Sequence, residues 1–560
     1  MPTPEPSPLM LVGIGASAGG LEALKTLLPA LPSDSGLAFV IVVHLRPGQP
    51  SVMAEVLQPF CSMPVTQVTE DQEVEPNHIY VIPPGCNLST INSRLRLSKI
   101  EEAHEGRAPI DHFFETLAST HGHRSIGVVL SGTGADGSFG LKRIKEQGGL
   151  TIAQDPKEAQ FDSMPHNAIL TGQVDFVLPI RDMPWHMLRF ATTQPRVEIA
   201  EPLEQAPAAD QEILQNIMSQ VRSRTNMDFS KYKHATVLRR IRRRMQLNQK
   251  ELLADYLKFL RDNPSEANAL ADEFLITVTQ FFRDAEVFDH LEKEVVPELF
   301  KGKTTSDSIR VWSVGCATGE EAYSVAMLLL EQAGRLAGAP HIAIFASDLH
   351  EPSLRRAREG LFPDTIEANV SAERLRRFFV KEDNSYRPRQ ELRELIVFAS
   401  HNLLRDPPFS RLDLVICRNL LIYLQRELQN DVIELFHYAL SPGGLLLLGP
   451  SESIDRAALF QVENKQVCLY RRRNVPAPEP RLPVFPQTFR RAAPFEAAGL
   501  RALPTGSYGA LHQKMVERYA LPSLLVDQDF RIVHASEHAG RYLQVPGGEL
   551  SASVFRLARE

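Results

Sequence analysis

Cysteine is scarce in this 560-residue chain, and its five copies, Cys61, Cys86, Cys316, Cys417 and Cys468, form no C-x-x-C pair. That spacing excludes a disulfide framework and a structural zinc site, so no metal is expected, and it suits a reducing compartment. Long apolar runs are missing as well: no segment approaches the roughly 18 consecutive apolar residues of a membrane helix. The opening MPTPEPSPLM has no basic residue ahead of its apolar stretch, which excludes a signal peptide on this reading and makes the cytoplasm the expected location, with no direct membrane insertion. A charge excess is also lacking. The net charge of −7 gives no reason to expect nucleic acid as a partner of the whole chain. Internal repeats are absent too, and the length allows three or four domains, each with its own core.

Composition divides what is there. Residues 9–190 alternate apolar strands with helical patterns, and a polar, proline-marked stretch follows. Residues 210–270 read as all-helical, and residues 271–473 alternate strand and helix again. A proline-rich linker covers 474–505, and 506–560 has a helix-like stretch and two short strands, Ser523 to Val526 and Arg531 to His534. The expected fold is therefore multidomain α/β: a doubly wound, mostly parallel domain, a small all-α domain, a second Rossmann-like domain and a partial α+β segment.

In the first region, Leu9 to Ile14 reads as a strand that runs into Gly15-Ala16-Ser17-Ala18-Gly19-Gly20 and a helix. A dinucleotide site would want an acid closing the second strand, Ala38 to Val43, and the residue there is His44. A serine on a glycine-flanked strand-to-helix turn has instead the form of a nucleophile elbow. A third strand, Ser125 to Leu130, leads to Ser131-Gly132-Thr133-Gly134-Ala135-Asp136-Gly137. In a parallel sheet these three strand ends open on one edge, where Ser17 as nucleophile, His44 as base and Asp136 as orienting acid would make an acyl-transfer triad. Peptide N–H groups near Ala18 or Thr133 are candidates for the oxyanion. Each residue alone also has a plain structural reading: a turn serine, a structural histidine, a capping aspartate.

In the later region, Ile309 to Val314 runs into Gly315-Cys316-Ala317-Thr318-Gly319 and a helix from Glu320. This is a cofactor-binding strand-turn-helix, but its Gly-x-x-x-Gly spacing departs from the G-x-G-x-x-G that carries a pyrophosphate. Glu320 and Glu321 would repel phosphate and suit a ligand with a cationic end, such as the ammonium and sulfonium of S-adenosylmethionine. A second strand, Ile342 to Ser347, ends in Asp348, which can accept both ribose hydroxyls. A third, Leu395 to Ala399, leads to His401-Asn402-Leu403, suited to the adenine edge, and a fourth, Leu412 to Ile416, ends in Cys417-Arg418-Asn419 with Tyr423 beyond. Ser441 to Gly444 reads as a turn, Leu445 to Leu448 as a late strand, and Gln466 to Arg471 as an edge strand.

These motifs carry two resemblances. GASAGG, VVHLRP and LSGTGADG, with AQDP and FDSMP after them, are similar to the chemotaxis receptor methylesterases (CheB family) across nearly all of 9–185. That family hydrolyses glutamate methyl esters on receptors and can deamidate glutamines, which implies catalytic Ser17, His44 and Asp136. The sequence departs from the family at Thr133, usually methionine, and Ala18, often threonine, both in the presumed oxyanion region. With only about eight residues ahead of the first strand, the family's receiver domain is expected to be missing.

Residues 210–473 resemble the chemotaxis receptor methyltransferases (CheR family), of class I methyltransferase fold, with one departure at Ala322, where the family has proline. The resemblance implies that Thr277, Thr279 and Arg283 bind S-adenosylmethionine, with Glu321 as its acid and Asp348, Asn402, Leu403, Arg418 and Asn419 completing the pocket. It also implies chemoreceptor-like partners with acidic helical methylation regions, and it makes the arginine cluster Arg239, Arg240, Arg242, Arg243 and Arg244 a docking face for them; a solvated face is the plain alternative. Residues 350–395 match the family's inserted receptor-docking subdomain. In the transfer itself, Arg283 or Arg418 would orient the acceptor carboxylate and Tyr423 would line its channel.

The last segment, Leu524-Leu525-Val526-Asp527 and Arg531-Ile532-Val533-His534, resembles the front of a PAS sensor domain, with a downstream kinase or sensor as partner. The sequence thus implies a bifunctional chemotaxis-type enzyme, protein-glutamate O-methyltransferase and methylesterase in one chain. The alternative is a catalytically weak scaffold that reports cofactor or receptor state to a C-terminal signalling domain.

Overall fold

A computed structural model describes residues 9–44, 51–91, 93–99, 108–193, 208–275, 279–382, 385–454, 458–475, 524–526 and 532–535. The expected linker at 474–505 and the helix-like stretch after it lie almost wholly outside these residues.

The first sheet is built from β1 (Met10–Ala16), β2 (Leu37–Val43), β3 (Val65–Gln67), β4 (Ile79–Val81), β5 (Ser125–Val129), β6 (Leu150–Gln154) and β7 (Phe176–Leu178), in the order β7-β6-β5-β1-β2-β4-β3. Every pairing in it is parallel. β2 reads LAFVIVV and is buried along its whole length, as a central strand covered on both faces must be. α1 (Gly20–Leu27), α2 (Pro109–His121) and α3 (Ser138–Glu146) connect and cover the strands. A three-stranded antiparallel unit of Gln72–Glu73, Cys86–Ile91 and Arg94–Lys99 packs on α2.

The helical region comprises α4 (Ala208–Thr225), α5 (His234–Leu247), α6 (Leu253–Asp262) and α7 (Pro264–Phe274), packed around Ile217, Ile241, Tyr256 and Leu270. The second, mostly parallel sheet follows: β8 (Ser308–Val314), β9 (His341–Asp348), β10 (Ile396–Ser400), β11 (Leu412–Cys417), β12 (Leu440–Leu448), β13 (Phe460–Asn464) and β14 (Leu469–Arg472), in the order β10-β9-β8-β11-β12-β14-β13. α8 (Glu320–Ala333) follows β8 and is buried almost all round, which explains its near absence of exposed polar positions before Leu330. Two expectations change here. Ser441 to Gly444 does not end a turn but forms an irregularity inside β12, because Leu412 and Leu414 of β11 skip register against it. The strand at Leu469–Arg472 is not the edge; β13 lies outside it, antiparallel.

The insertion after β9 holds a small antiparallel sheet of Phe362–Pro363, Phe379–Glu382 and Ser385–Pro388. Beyond the second sheet, Leu524–Val526 and Ile532–Ala535 form a separate antiparallel pair. Among the described residues no helix is long and apolar enough to cross a membrane.

The arginine cluster on α5 faces inward. Arg240 and Arg243 are 2% and 1% exposed. Arg243 ion-pairs with Asp175, next to β7 of the first sheet, and donates to both carboxylate oxygens of Glu273 at 2.7 and 2.8 Å, while its Nε–H donates to Gly149 O at 3.0 Å. Arg240 donates to Lys145 O at 3.0 Å. Burial opposes both charges, and the neighbouring cations hold the Asp175 carboxyl well below the usual carboxylate range. The cluster expected to face an acidic partner is in large part the joint between the helical region and the first α/β region, and Arg244 is tied within the helical region to both carboxylate oxygens of Glu266.

Candidate active sites

The first site follows from strand register. Ala16 pairs with Val43 and Gly15 with Val129, so Ser17 and His44 leave β1 and β2 side by side, one residue beyond a matched pair. Adjacent parallel strands are about 4.8 Å apart, which brings the two side chains within reach. His44 Nδ1 lies 3.2 Å from Ser17 Oγ, and His44 Nε2 lies 2.9 Å from Asp136 Oδ2. A carboxylate only accepts, so Nε2 carries the hydrogen and Nδ1 is left as the acceptor facing the serine hydroxyl. Asp136 sits seven residues past β5 and is fixed by the N-terminus of α2, accepting from Ile110 N at 3.0 Å and Asp111 N at 2.8 Å. The adjoining Gly137 has φ +90°, and a Cβ there would come within 2.9 Å of Ile110 Cγ2, so the turn that presents Asp136 requires glycine. The aspartate side chain is 7% exposed and the imidazole 35%, which orders the relay from the interior outward to solvent.

Sequence reasoning missed the residues that brace this turn. Ser131 accepts from Ser17 N through its carbonyl and donates its hydroxyl to Ala18 O at 3.0 Å, and its own N–H goes to Gln154 Oε1 at 2.8 Å. A Cβ on Gly132 would meet Ser17 Cβ at 3.0 Å, so the peptide before Thr133 passes directly beside the serine. A cavity of about 1180 Å³ opens from His44, Thr133 and Asp136 toward Thr279, Glu320 and the inserted sheet.

The second site is a cavity of about 330 Å³ beyond the carboxyl ends of β8, β9 and β11. Thr279, Arg283, Glu321, Asp348, Asn402, Leu403, Arg418 and Asn419 all line it; Thr277 lies outside the described residues. Asp348 accepts from Ala317 N and His350 N, each at 2.8 Å, and Glu321 accepts from Ser313 Oγ at 2.9 Å. Arg418 joins Glu321 of the pocket wall, at 3.4 Å, to Asp284 outside it, so it is held between two acids. Its Nε is buried with no hydrogen-bond partner among the described residues. The backbone is strained around the cavity: Phe282, Asp284, Ala317 and Asn419 all take positive φ. The two glutamates diverge, Glu321 into this cavity and Glu320 toward the larger one.

Burial pushes Glu320, Glu321 and Asp348 upward, countered for Glu321 chiefly by Arg418 and for Asp348 by the His350 and Ala317 amides. Glu321 and Asp348, held in this wall at that cost, favour a ligand with positive charge and hydroxyl donors, and among the described residues the wall offers no glycine-rich cradle for a phosphate. The donor set therefore fits the sulfonium, ammonium and ribose hydroxyls of S-adenosylmethionine. Residues from outside the sheet complete the wall: Asp228, Tyr232, Phe274 and Leu275 from the helical region, and Glu146 from the end of α3. No periodicity or motif in the sequence marks these.

Residues 12–187 match the family described as CheB methylesterase, 212–275 the CheR methyltransferase all-alpha domain, and 277–468 the CheR methyltransferase SAM-binding domain. The chain is 36% identical over 537 residues to an uncharacterized 104.1 kDa protein of Rhodobacter capsulatus, a match that takes in 91% of this chain and 55% of that one. The chain thus spans about half the length of that relative. It is 38% identical over 168 residues, 30% of this chain, to a putative protein-glutamate methylesterase/protein-glutamine glutaminase of Leptospira interrogans, of which 87% is covered. It is 31% identical over 247 residues, 43% of this chain, to chemotaxis protein methyltransferase 2 of Vibrio cholerae, of which 85% is covered.

Proposed function

The chain belongs to both the CheB methylesterase and the CheR methyltransferase families, and from that premise we propose that it writes and erases methyl esters on glutamate side chains of chemoreceptor-like proteins. The observation that carries the erasing half is the Ser17–His44–Asp136 relay, 3.2 and 2.9 Å from link to link. Ser17 Oγ attacks the ester carbonyl while His44 Nδ1 takes its proton, and Asp136 stabilises the imidazolium that forms. Peptide N–H groups at Ala18 or Thr133 hold the oxyanion. The proton then passes from His44 to the departing methoxide, methanol leaves, and water releases the acyl group by the same relay. A primary amide entering the same site would lose ammonia instead, which is deamidation of glutamine.

For the writing half, Asp348 would take the ribose hydroxyls, Asn402 and Leu403 would meet the adenine edge and Glu321 would face the cationic end, with Thr279, Asn419 and Arg418 completing the wall; Thr277 belongs to the same set by family position. S-adenosylmethionine supplies a methyl group already activated toward a nucleophile. An acceptor carboxylate is ionised at neutral pH, so the chain's task is placement rather than proton transfer. Arg283 or Arg418 orients the acceptor carboxylate, and Tyr423, which lines the same cavity, borders its channel.

We assign the domains as 9–190, 210–270 and 271–473, and read 506–560 as the front of a PAS-type segment serving a downstream kinase or sensor in the cytoplasm; the antiparallel strand pair there supports that reading. Radiolabelled methyl transfer to receptor glutamates, followed by methanol release that disappears in Ser17→Ala, tests the bifunctional reading. Tight binding of S-adenosylhomocysteine with no label on any receptor would favour the scaffold alternative.

A further inference from the structure

α3 ends at Glu146, and an acid there is misplaced by the usual rules. The last turn of a helix carries partial negative charge and favours a cation, and a chain end of this kind normally points to water. Yet the Glu146 side chain is only 14% exposed and lines the second cavity together with Thr279, Arg283, Glu321, Arg418 and Tyr423. Among the described residues it is the one residue of the esterase region to do so. Its Oε1 accepts from the Tyr423 hydroxyl at 3.3 Å and its Oε2 from Arg143 at 3.0 Å. Its charge also acts on Arg283, helping that guanidinium keep its proton against the burial that pushes it downward.

A glutamate γ-carboxylate beside Tyr423 and within the field of Arg283 has the chemistry and the place of the methyl acceptor. We propose that Glu146 is an intramolecular methyl-acceptor site: the chain methylates its own esterase region. The inference rests on the transferase reading of that cavity. A carboxylate oxygen of Glu146 forms a bond to the methyl carbon as the carbon–sulfur bond of S-adenosylmethionine breaks; S-adenosylhomocysteine leaves with the electron pair and no proton moves. The ester is neutral, so the modified residue no longer holds Arg143 or answers Arg283, and the contact between α3 and the cavity loosens.

The test uses the full chain carrying Ser17→Ala, so that no copy removes the mark, incubated with S-adenosylmethionine and no receptor. Peptide mass mapping is expected to find one added methyl group at residue 146, removed by mild alkali, absent in Ser17→Ala/Glu146→Gln, and formed at a rate per molecule that does not change on dilution. Calorimetric binding of S-adenosylhomocysteine is measured on the same preparation. Binding with an unmodified residue 146 overturns the inference and leaves the transferase reading standing, even where Glu146→Gln raises transfer to receptors, for then Glu146 only blocks the site. A rate that scales with protein concentration overturns the intramolecular geometry. No binding and no transfer to any protein removes both.

Discussion

Two sheets in this chain, one parallel and one mostly so, place their chemistry beyond the carboxyl ends of their parallel strands, and they complete their sites by different means. The first draws Ser17, His44 and Asp136 from one sheet edge, and a neighbouring helix of the same region, α2, holds the aspartate. The second has only part of its wall from its own strand ends; Tyr232 and Phe274 come from the helical region and Glu146 from the first α/β region. The triad of the first site is finished where it is folded, although its cavity extends to Thr279, Glu320 and the inserted sheet, whereas the second site has its wall only when three regions have docked. The buried Arg243, shared between Asp175 and Glu273, is where that docking is held.

The sharpest break between the two sites comes from Ser17→Ala. Ester hydrolysis is expected to fall at least about a thousandfold, since the nucleophile is lost and the residual comes from binding alone, while S-adenosylhomocysteine affinity stays unchanged. Methanol release and calorimetry on one preparation read both.

Arg243→Ala attacks the joint instead. It removes the main partner of two buried carboxylates, leaving Asp175 to Lys145 and Glu273 to Arg240, at a cost of about 3 kcal/mol, so thermal denaturation is expected to shift strongly downward. If the comparison holds, cofactor binding weakens in this variant at temperatures where ester hydrolysis persists; equal loss of both would show that the first site depends on docking too.

Asp348→Asn removes the acid that anchors both the Ala317 turn and the proposed ribose contact. S-adenosylhomocysteine is expected to bind about ten- to a hundredfold more weakly, about 1.4–2.8 kcal/mol, with hydrolysis at the first site unaffected.

The smallest effect is one of pH. Burial, and then Arg124, push the His121 imidazole down to about 4. The folded form stays neutral while the unfolded chain takes up a proton below its ordinary value near 6.5. Its contribution is therefore complete above that value and is lost as pH falls toward 4, on the order of 1–2 kcal/mol by pH 5. Thermal melts at pH 7.5 and 5 should show the loss, and His121→Gln should flatten it.

Legibility in the sequence follows the same division. Ser17, His44 and Asp136 are readable because each lies on or near a strand end, and parallel register alone brings Ala16, Val43 and Val129 level. Eight of the nine residues expected around the cofactor line one cavity, Asp348, Asn402, Leu403, Arg418 and Asn419 because they follow strand ends, and Thr279, Arg283 and Glu321 from outside the strands; the ninth, Thr277, lies outside the described residues. The α5 arginines were misleading, because a cluster of charge has the same composition whether it faces water or a buried acid. The edge strand was misplaced because antiparallel order at a sheet margin is set by packing and not by the strand's own residues.

By itself, then, the sequence determined the three folded regions, the families they belong to and the residues at the strand ends, since hydrophobic period, turn glycines and short-range register are local properties. Only the tertiary structure decided that Arg240 and Arg243 bind the chain together, and that Glu146 reaches the second cavity from about 277 residues away in sequence to meet Tyr423. Contacts of that span depend on which surfaces dock, and docking is governed by shape and by the pairing of buried charge, which no local pattern records.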